Sequence, residues 1–365
     1  MHFVTGGFSG ATQVAVDLCR SAQHGQGMEV LLAFRRKPST DPARVEALRG
    51  EGLDVRVVPG WSHAATIWTL RNLAREWKPD ILVAHGFSEH LWGRYAGLLA
   101  GVPQLVHVEH NSRERYTRWR LAQALWLARR SAATVGVSLG VRDHLLGLGF
   151  PAERCIAIPN GVDLARFHAV PARPWQARED AIVMASRFGR QKDHATLLRA
   201  LALLQSKGLT PRLSLAGGGK SRQRKAMEAL VRELGLGAQV NFLGQVADMP
   251  ALLASQRIFV LATHYEGMPL ALVEAMAAGC ACIGSDVVGV REVISHGRTG
   301  LLVPEGNAQA LADALAMSLT RPEQAEALGR AAREQAEQAF DVSLMHDRYE
   351  TLLRDVHAGR PVRQP

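Results

Sequence analysis

Short apolar segments alternate with amphipathic stretches along most of this chain. The apolar segments are rich in Val, Ile, Leu and Ala, and the stretches between them carry apolar residues at helical spacing. Continuous apolar runs of this length predict strands buried on both faces of a parallel sheet and connected by helices. The predicted strands are Phe3–Thr5, Glu29–Ala33, Val55–Val58, Ile81–Ala84, Gln104–Glu109, Ala133–Val137, Cys155–Ile158, Ala181–Ser186, Arg212–Ala216, Val240–Leu243, Ile258–Leu261, Ala281–Ser285 and Gly300–Val303.

The alternation is interrupted once, over His168–Asp180. This stretch contains two prolines and lacks periodicity, which indicates an interdomain linker. The alternation on either side predicts an α/β protein of two doubly wound, Rossmann-like domains that face each other across a cleft, with ligands at the carboxyl ends of the strands. We therefore expect an N-terminal domain over residues 1–168, a C-terminal domain over 169–340 and a final helix within 341–357.

Composition narrows the class of protein. With 365 residues, 47% of them apolar and 21% charged, the chain is long enough for two separate cores. No apolar run reaches the roughly 18 residues that a membrane-spanning helix needs, and the first residues enter a strand without the segments of a secretory signal. The four cysteines form no spaced framework, and Cys280 and Cys282 lie in a predicted buried strand without nearby His ligands, which favours small buried side chains over a metal site. We expect a cytoplasmic protein.

The positive charge is uneven along the chain. The net charge is +9, and residues 1–170 hold 20 Lys and Arg against 14 Asp and Glu, which gives +6 for that half alone. Basic charge on one half favours an anionic partner, such as nucleic acid, an anionic membrane face or a phosphorylated acceptor.

Much of this charge lies between Arg113 and Arg130, where six Arg accompany one acidic residue and three aromatic ones. On a helix, this combination is typical of an element that lies in a membrane interface. The alternative is a surface helix whose aromatic side chains pack inward. The candidate membrane or acceptor contacts are Arg113, Arg115, Arg118, Trp119 and Arg120.

The most informative motif is a pair of glutamates eight residues apart, Glu266 and Glu274. Between them starts a run of helix formers, Pro269–Ala278, with Pro at its first position and Gly279 after its last. Glu266 is then expected in the loop before a short helix and Glu274 in its second turn. Two carboxylates around an anion-binding helix start suit a ligand with hydroxyls at both ends and phosphates between them, which is the shape of a nucleotide sugar.

Two cations follow the predicted strand Ala181–Ser186. Arg187 comes directly after it and Lys192 five residues later, just before Asp193 as an expected helix N-cap. A guanidinium fork and an ammonium group at a carboxyl strand end suit a diphosphate leaving group. Ordinary surface cations are the alternative.

Glycine-rich turns and one histidine complete the set. Gly217 and Gly218 follow a strand without the GxGxxG fingerprint, so we interpret them as a turn that admits a phosphate or ribose. Gly6 and Gly7 join the first strand to a helix near Thr12 and form a second such turn. His110 follows strand Gln104–Glu109 and is a candidate contact to a reacting sugar, or else a structural histidine.

Together these motifs resemble the retaining glycosyltransferases of family 4, which have the GT-B fold. The resemblance covers nearly the whole chain, with its motifs in the order and spacing of the family. They are Val137-Ser138, Ile158-Pro159-Asn160-Gly161-Val162-Asp163, Arg187 with Lys192, Gly217 to Gly219, Phe242-x-Gly244, Glu266-Gly267-x-Pro269, Glu274-Ala275-Met276-Ala277-x-Gly279, Gly289, Glu292 and Thr299-Gly300-Leu301-Leu302-Val303. The chain departs from the family at Thr263-His264-Tyr265, where Pro-Ser is common, and at Gly279-Cys280-Ala281.

The resemblance implies a role for each candidate in catalysis and donor binding. Glu266 is expected to bind donor-sugar hydroxyls, with His110 beside the sugar ring, while Arg187 and Lys192 neutralise the departing diphosphate. Glu274 is expected to hold the ribose. The expected donor-binding residues are Gly6, Gly7, Gly217, Gly218, Gly244, Gln245, Val246, Gly267, Met268, Pro269, Leu270 and Glu274.

The resemblance also implies the reaction and the partners. We expect a metal-independent hexosyltransferase without a cofactor, moving a sugar with retention from a nucleotide sugar, with uridine the expected base. The expected acceptor is a saccharide or lipid-linked hydroxyl in cell-surface polysaccharide or lipopolysaccharide assembly, reached from the cytoplasmic face of an anionic inner membrane. The N-terminal domain would hold the acceptor and the C-terminal domain the nucleotide sugar, with the last helix crossing back to the N-terminal domain. The alternatives are another GT-B enzyme, such as a nucleotide-sugar epimerase or a phosphorylase, and a basic nucleic-acid-binding protein, although we expect no nucleic-acid partner.

Overall fold

The computed structural model describes residues 1–24, 27–112, 116–171 and 173–364. They divide into two compact units. The first consists of Met1–Gly161 together with Ser343–Pro365, and the second of Val162–Val342. The chain therefore passes between units at 161/162, seven residues before the predicted boundary at 168/169, and again at 342/343.

The first unit contains a seven-stranded parallel sheet with helices between the strands. Its strands are β1 (His2–Thr5), β2 (Leu31–Arg35), β3 (Asp54–Val58), β4 (Ile81–His85), β5 (Gln104–Glu109), β6 (Ala133–Gly136) and β7 (Cys155–Ala157). Its helices up to the first crossing are α1 (Gly10–His24), α2 (Pro42–Gly50), α3 (His63–Trp77), α4 (Phe87–Ala100), α5 (Arg118–Ala128) and α6 (Leu139–Gly147).

The second unit contains a six-stranded parallel sheet. Its strands are β8 (Glu179–Ala185), β9 (Arg212–Ala216), β10 (Val240–Gly244), β11 (Gln256–Leu261), β12 (Ala281–Ser285) and β13 (Leu301–Val303). Its helices are α7 (Ala165–His168), α8 (His194–Ser206), α9 (Ser221–Glu233), α10 (Met249–Ser255), α11 (Leu270–Ala277), α12 (Val288–Arg291), α13 (Ala308–Thr320) and α14 (Pro322–Ala339). The last helix of the chain, α15 (Val342–His357), starts at the second crossing.

Both sheets have the doubly wound order that the sequence predicts. The first runs β3-β2-β1-β4-β5-β6-β7 and the second β10-β9-β8-β11-β12-β13. In each sheet the chain winds outward from the first strand and then returns to that strand's other side. The loops after β1 and β4, and after β8 and β11, therefore diverge at a topological switch point, where open α/β sheets bind their ligands.

Each predicted strand corresponds to one observed strand. Most of the apolar runs are the buried centres of the sheets, whereas the edge strands β3 and β10 also carry exposed positions. Several helices start where a short polar side chain accepts from a backbone N–H of the first turn, as the capping rule expects. These caps include Ser62, Thr117, Ser138, Asp193, Asp248 and Asn307. Among the described residues, no helix is both long enough and apolar enough to cross a membrane.

The prediction of a linker over His168–Asp180 is wrong. Within the described part of this stretch, Trp175 is buried and packs against Ala281 and Ala325 of the second unit. Arg257 donates hydrogen bonds to the carbonyls of Trp175 and Gln176. The segment lacks periodicity because one aromatic side chain and backbone hydrogen bonds anchor it to the second unit, not because it connects the units.

Strand β2 lies two residues later than predicted, at Leu31–Arg35 instead of Glu29–Ala33. The sequence places a strand end before Phe34-Arg35-Arg36 because Arg is usually exposed. Here Arg35 is 5% exposed and its guanidinium lies 3.5 Å from Glu89, so its charge is paired inside the fold.

Helix α15 belongs to the first unit from its second residue onward. Its Met345, Tyr349 and Leu352 side chains are buried. The two crossing segments are hydrogen-bonded at the edge of the second unit, where the Val162 N–H donates to the Phe340 carbonyl at 2.9 Å and the Val342 N–H to the Val162 carbonyl at 3.0 Å. The chain thus leaves the second unit where it entered.

Candidate functional site

Glu266 is the centre of a polar cluster at the switch point of the second sheet. It lies in the loop after β11 and is 6% exposed. Lys192 forms an ion pair with its Oε1 from the loop after β8. The hydroxyl of Thr263 donates to the same oxygen at 2.8 Å, and the side-chain amide of Gln191 donates to Oε2 at 3.3 Å. A buried carboxylate held by three donors is oriented before any ligand arrives.

The loop that carries Lys192 is fixed to its surroundings by backbone and side-chain bonds. Lys192 and Thr263 form an antiparallel bridge between the loops after β8 and β11. The imidazole Nδ1 of His194 lies 2.9 Å from the Lys192 carbonyl, and its Nε2 lies 3.1 Å from the Ser186 hydroxyl. Burial lowers the pKa of His194 to about 4, so the neutral ring donates to the carbonyl and accepts from the hydroxyl.

Helix α11 begins directly after the Glu266 loop. The sequence predicts Pro269 as its first residue, whereas in the structure Pro269 is the N-cap and the helix begins at Leu270. Gly279 follows the end of the helix with φ +73°. Gly267 and Met268 are buried, and Glu274 is half-buried in the second turn. On the other side of the loop, a Cβ on Gly289 of α12 would lie 2.3 Å from the Gly267 carbonyl oxygen. Gly289 therefore allows α12 to pack directly against the backbone that carries Glu266.

The glycine turn after β9 also has a structural reason. A Cβ on Gly217 would lie 2.1 Å from the Ser186 carbonyl oxygen, and φ there is +136°. The Gly217 N–H donates to the Gly244 carbonyl at 2.6 Å. These glycines allow the loops after β8, β9 and β10 to approach one another, whereas Gly218 lies beside the side chain of Gln245.

The two cations predicted to act together differ in the structure. Lys192 reaches Glu266, whereas Arg187 is exposed and forms no ion pair with the described residues. Gln245 is likewise exposed and Val246 half-buried, at the carboxyl end of β10. Glu266 and Lys192 are therefore paired before any ligand binds. Arg187, Gln245 and Val246 lie on loops around the carboxyl edge of the same sheet.

In the first unit, Gly6 and His110 lie at the carboxyl edge of the sheet. The Gly6 N–H donates to the Arg35 carbonyl at 2.8 Å, and a Cβ there would meet the Thr40 hydroxyl at 2.7 Å, so close packing requires this glycine. A Cβ on Gly7 next to it would meet only ordinary contacts, at 3.6 Å from the Ser39 hydroxyl and 3.7 Å from that of Thr5. His110 follows β5, its Nε2 lies 3.2 Å from Nδ1 of His85, and burial lowers its pKa to about 3. It is therefore neutral at physiological pH.

Three further side chains of the first unit offer metal-ligand atoms within 4.8 Å of one another, namely buried His90, His107 and Glu109. The buried guanidinium of Arg94 lies 2.5 Å from His90 Nδ1, and the hydroxyl of Tyr116 lies 3.0 Å from its Nε2. A divalent cation among these residues would lie close to a fixed positive charge. His90 is better explained as a member of a buried hydrogen-bonded network with Arg94 and Tyr116.

Comparison with known proteins identifies the family. The model of the glycosyl transferases group 1 matches residues 170–335, and that of glycosyltransferase family 4 matches residues 8–166. A D-inositol 3-phosphate glycosyltransferase of Jonesia denitrificans is 30% identical in an alignment that covers 92% of this chain and 88% of that protein. This chain belongs to glycosyltransferase family 4.

Further relatives agree with this family. A putative colanic acid biosynthesis glycosyltransferase of Salmonella typhimurium, WcaL, is 27% identical over 292 residues, covering 76% of this chain and 71% of that protein. The crystal structure of Anabaena HepE in complex with UDP-glucose superimposes with a TM-score of 0.85 over 97% of this chain and 98% of that one, at 22% identity. The fold of this family 4 glycosyltransferase is therefore GT-B, as predicted.

The Arg- and Trp-rich segment of the glycosyltransferase forms helix α5 from Arg118 onward, with Thr117 as its N-cap. Trp119 is 75% exposed and Trp126 44% exposed. The guanidinium of Arg130 lies 3.8 Å from the centre of the Trp126 ring. Inward packing is therefore wrong for Trp119, and Trp126 is partly exposed, whereas Tyr116, the third aromatic residue of the segment, contacts buried His90 through its hydroxyl. Arg113 and Arg115 lie outside the described residues.

Sequence reasoning missed several residues that shape the glutamate cluster of this glycosyltransferase. Gln191 and Thr263 contact Glu266 directly, and His194 holds the Lys192 loop in place, while Gly289 was named in the family pattern but given no role. The position of Gln191 beside Lys192 was the one available signal, because Gln and Thr are common on any surface. Thr263 stands where the family commonly has Pro-Ser, so the departure from the pattern concerned a contact residue.

Proposed function

We propose that this glycosyltransferase moves a sugar from a UDP-sugar to a hydroxyl of a saccharide or lipid-linked acceptor, with retention and without a metal or cofactor. The observation that carries the proposal is the buried Glu266–Lys192 pair at the switch point of the second sheet. In this pair the Glu266 carboxylate can accept hydrogen bonds from sugar hydroxyls, and the Lys192 ammonium can bind the phosphates. The HepE complex with UDP-glucose supports the choice of base, and the WcaL relative supports a role in cell-surface polysaccharide assembly.

In this proposal each group has a chemical task. Glu266 accepts hydrogen bonds from hydroxyls of the donor sugar, and His110 contacts the same sugar. Arg187, Lys192 and the start of α11 stabilise the negative charge that develops as the diphosphate leaves, while Glu274 binds the ribose. The acceptor hydroxyl attacks from the side of the leaving group. Its proton passes to a phosphate oxygen, so a new C–O bond replaces the bond to the diphosphate with the configuration kept.

Calorimetric titration with UDP, GDP, ADP and their sugar conjugates, with a chelator present, tests the donor site. We expect saturable binding of the uridine series alone. We also expect UDP to bind more tightly than UMP, with most of that difference lost in Lys192→Met, because charge-assisted hydrogen bonds contribute about 1.5–3 kcal/mol, or roughly 10- to 100-fold in affinity. Equal binding of UDP by the parent and Lys192→Met would contradict the assignment of Lys192 to the diphosphate.

Product analysis separates the enzymatic alternatives. A transferase forms a glycoside only when an acceptor is present, whereas an epimerase converts the nucleotide sugar without one and a phosphorylase requires phosphate. A nucleic-acid-binding protein would bind with steep salt dependence and ignore nucleotide sugars.

We further propose that α5 docks on an anionic membrane surface. The docking face consists of Arg118, Trp119, Arg120 and Trp126 of α5 and of Arg130 just after its end, and it combines exposed aromatic rings with positive charge. Indole rings suit the headgroup level of a bilayer, and arginines attract anionic lipids. Such docking would bring the enzyme to a lipid-linked acceptor.

The double variant Arg118→Gln/Arg120→Gln is expected to weaken binding to anionic phospholipid vesicles roughly 30-fold, because each Arg near such a surface contributes about 1 kcal/mol. Vesicle sedimentation measures the change. The matched control is Arg71→Gln/Arg75→Gln, which removes the same charge from α3. Equal weakening by both double variants would show attraction to net charge and rule out docking through α5.

A further inference from the structure

Three imidazole rings form a continuous chain through the first unit. His2 opens β1, His85 closes β4 and His110 follows β5, and these three strands are neighbours in the sheet. Nδ1 of His2 lies 3.0 Å from Nε2 of His85, and Nδ1 of His85 lies 3.2 Å from Nε2 of His110. Successive rings are stacked, with centroids 5.2 and 5.5 Å apart.

The register of the sheet explains this chain. His2 is paired with Val83, two residues before His85, and His85 is paired with Val108, two residues before His110. Side chains two residues apart on a strand point to the same face, so each histidine is the diagonal neighbour of the next one.

The three rings are neutral, so each can donate one hydrogen bond and accept one. His85 is fully buried and His2 is 3% exposed. Burial lowers the pKa of His2 and of His110 to about 3 and that of His85 well below its usual value. A neutral imidazole has one N–H and one acceptor nitrogen. The two nitrogen contacts are therefore both satisfied in only two arrangements, with every N–H directed toward His110 or every N–H directed away from it.

We propose that His85 is a positioning residue that fixes the tautomer of His110, and that His2 fixes the tautomer of His85 in the same way. Nε2 of His110 faces His85, and its Nδ1 has no hydrogen bond to the residues that the structure describes, so this atom remains for a ligand. The chain of rings then decides whether Nδ1 donates or accepts. A sugar hydroxyl that contacts Nδ1 would then always meet a donor, or always an acceptor, and not a mixture of the two. The inference rests on the proposed function only in the contact between His110 and the donor sugar.

Nitrogen-15 NMR of histidine-labelled protein tests the tautomer directly, without any substrate. In the parent we expect one protonated and one unprotonated nitrogen on each of the three rings. In His85→Phe we expect His110 to shift from one dominant tautomer to a mixture. The matched control is His107→Phe, because His107 is also fully buried in this sheet and its ring nitrogens hydrogen-bond to neither His85 nor His110. It should leave the His110 signals as in the parent.

A second variant keeps the test valid if His85→Phe does not fold. His2→Phe removes only the contact at the far end of the chain, and we expect it to shift the His110 tautomer although it does not touch that ring. A mixture or a charged ring at His110 in the parent at neutral pH would overturn the proposal. So would a single, unchanged tautomer of His110 in both variants.

The activity of the same variants separates this inference from the proposed function. If His85→Phe mixes the tautomers of His110 and lowers the turnover of UDP-sugar, both stand. If the tautomers mix and turnover equals that of the parent, the proposed contact between His110 and the sugar is overturned, whereas the positioning role of His85 is supported.

Discussion

Replacing Glu266 with Gln is expected to lower the rate of sugar transfer roughly 10²- to 10³-fold, the usual loss when one preorganised electrostatic contact is removed. The amide keeps the size of the side chain but not the negative charge that Lys192 pairs with, and it cannot accept at both atoms. The measurement is release of UDP from the UDP-sugar identified by calorimetry, followed as kcat and KM. Circular dichroism checks that the fold is kept.

The matched control for this variant is Glu305→Gln. Glu305 accepts a hydrogen bond from the neighbouring loop residue His264 at 2.7 Å and is half-exposed, so the same chemical change is made near the site but outside it. Turnover of Glu266→Gln within a fewfold of this control would contradict the assignment. Lys192→Ala is expected to lose a similar factor. Because Lys192 and Glu266 are paired, the double variant should lose less than the product of the two single losses.

Replacing Gly289 with Ala is expected to lower turnover about 10²-fold, although Gly289 contacts no ligand in the proposed function. The new Cβ would lie 2.3 Å from the Gly267 carbonyl oxygen and 2.7 Å from that of Glu266. No side-chain rotation relieves a clash with backbone, so the loop or α12 must move, and a displacement near 1 Å at a catalytic group costs about this much. Helix propensity acts in the opposite direction, because Ala is favoured over Gly by about 1 kcal/mol inside a helix.

Gly237→Ala is the control, since its Cβ meets nothing within 4 Å and its φ is not positive. Steady-state kinetics and thermal unfolding of both variants separate loss of activity from loss of stability. Parent-like turnover in Gly289→Ala would show that the Glu266 loop tolerates displacement, and would contradict the view that its position is set by packing against α12.

Most strands could be predicted because they are apolar runs buried on both faces, and the edge strands β3 and β10 because they keep apolar residues beside their exposed positions. The family motifs could locate Glu266, Lys192 and the glycine turns for a related reason, since charged and flexible residues at strand ends leave a pattern along the chain. The contacts of Glu266 with Thr263 and Gln191 could not be predicted in this way. The Gln191 contact joins loops more than 70 residues apart, whereas the Thr263 contact lies within the loop after β11, and both side chains are ordinary on any surface.

The predictions that failed have a common physical cause. The segment around Trp175 contains prolines and no periodicity, yet one buried indole and the Arg257 hydrogen bonds attach it to the second unit. Strand β2 extends through Arg35 because Glu89 provides a buried partner for its charge. In both cases a single long-range contact outweighs the local composition from which the sequence is interpreted.

The hydrogen bonds between Val162 and the stretch from Phe340 to Val342 make the second unit an inserted domain whose two ends meet. Residues 162–342 can therefore be excised as one fragment, or circularly permuted by rejoining these ends, with little change to the backbone around the cut. The first unit has no such freedom. Its C-terminal helix, α15, is synthesised only after the whole second unit. A chain that stops at Val342 therefore lacks the buried side chains of Tyr349 and Leu352.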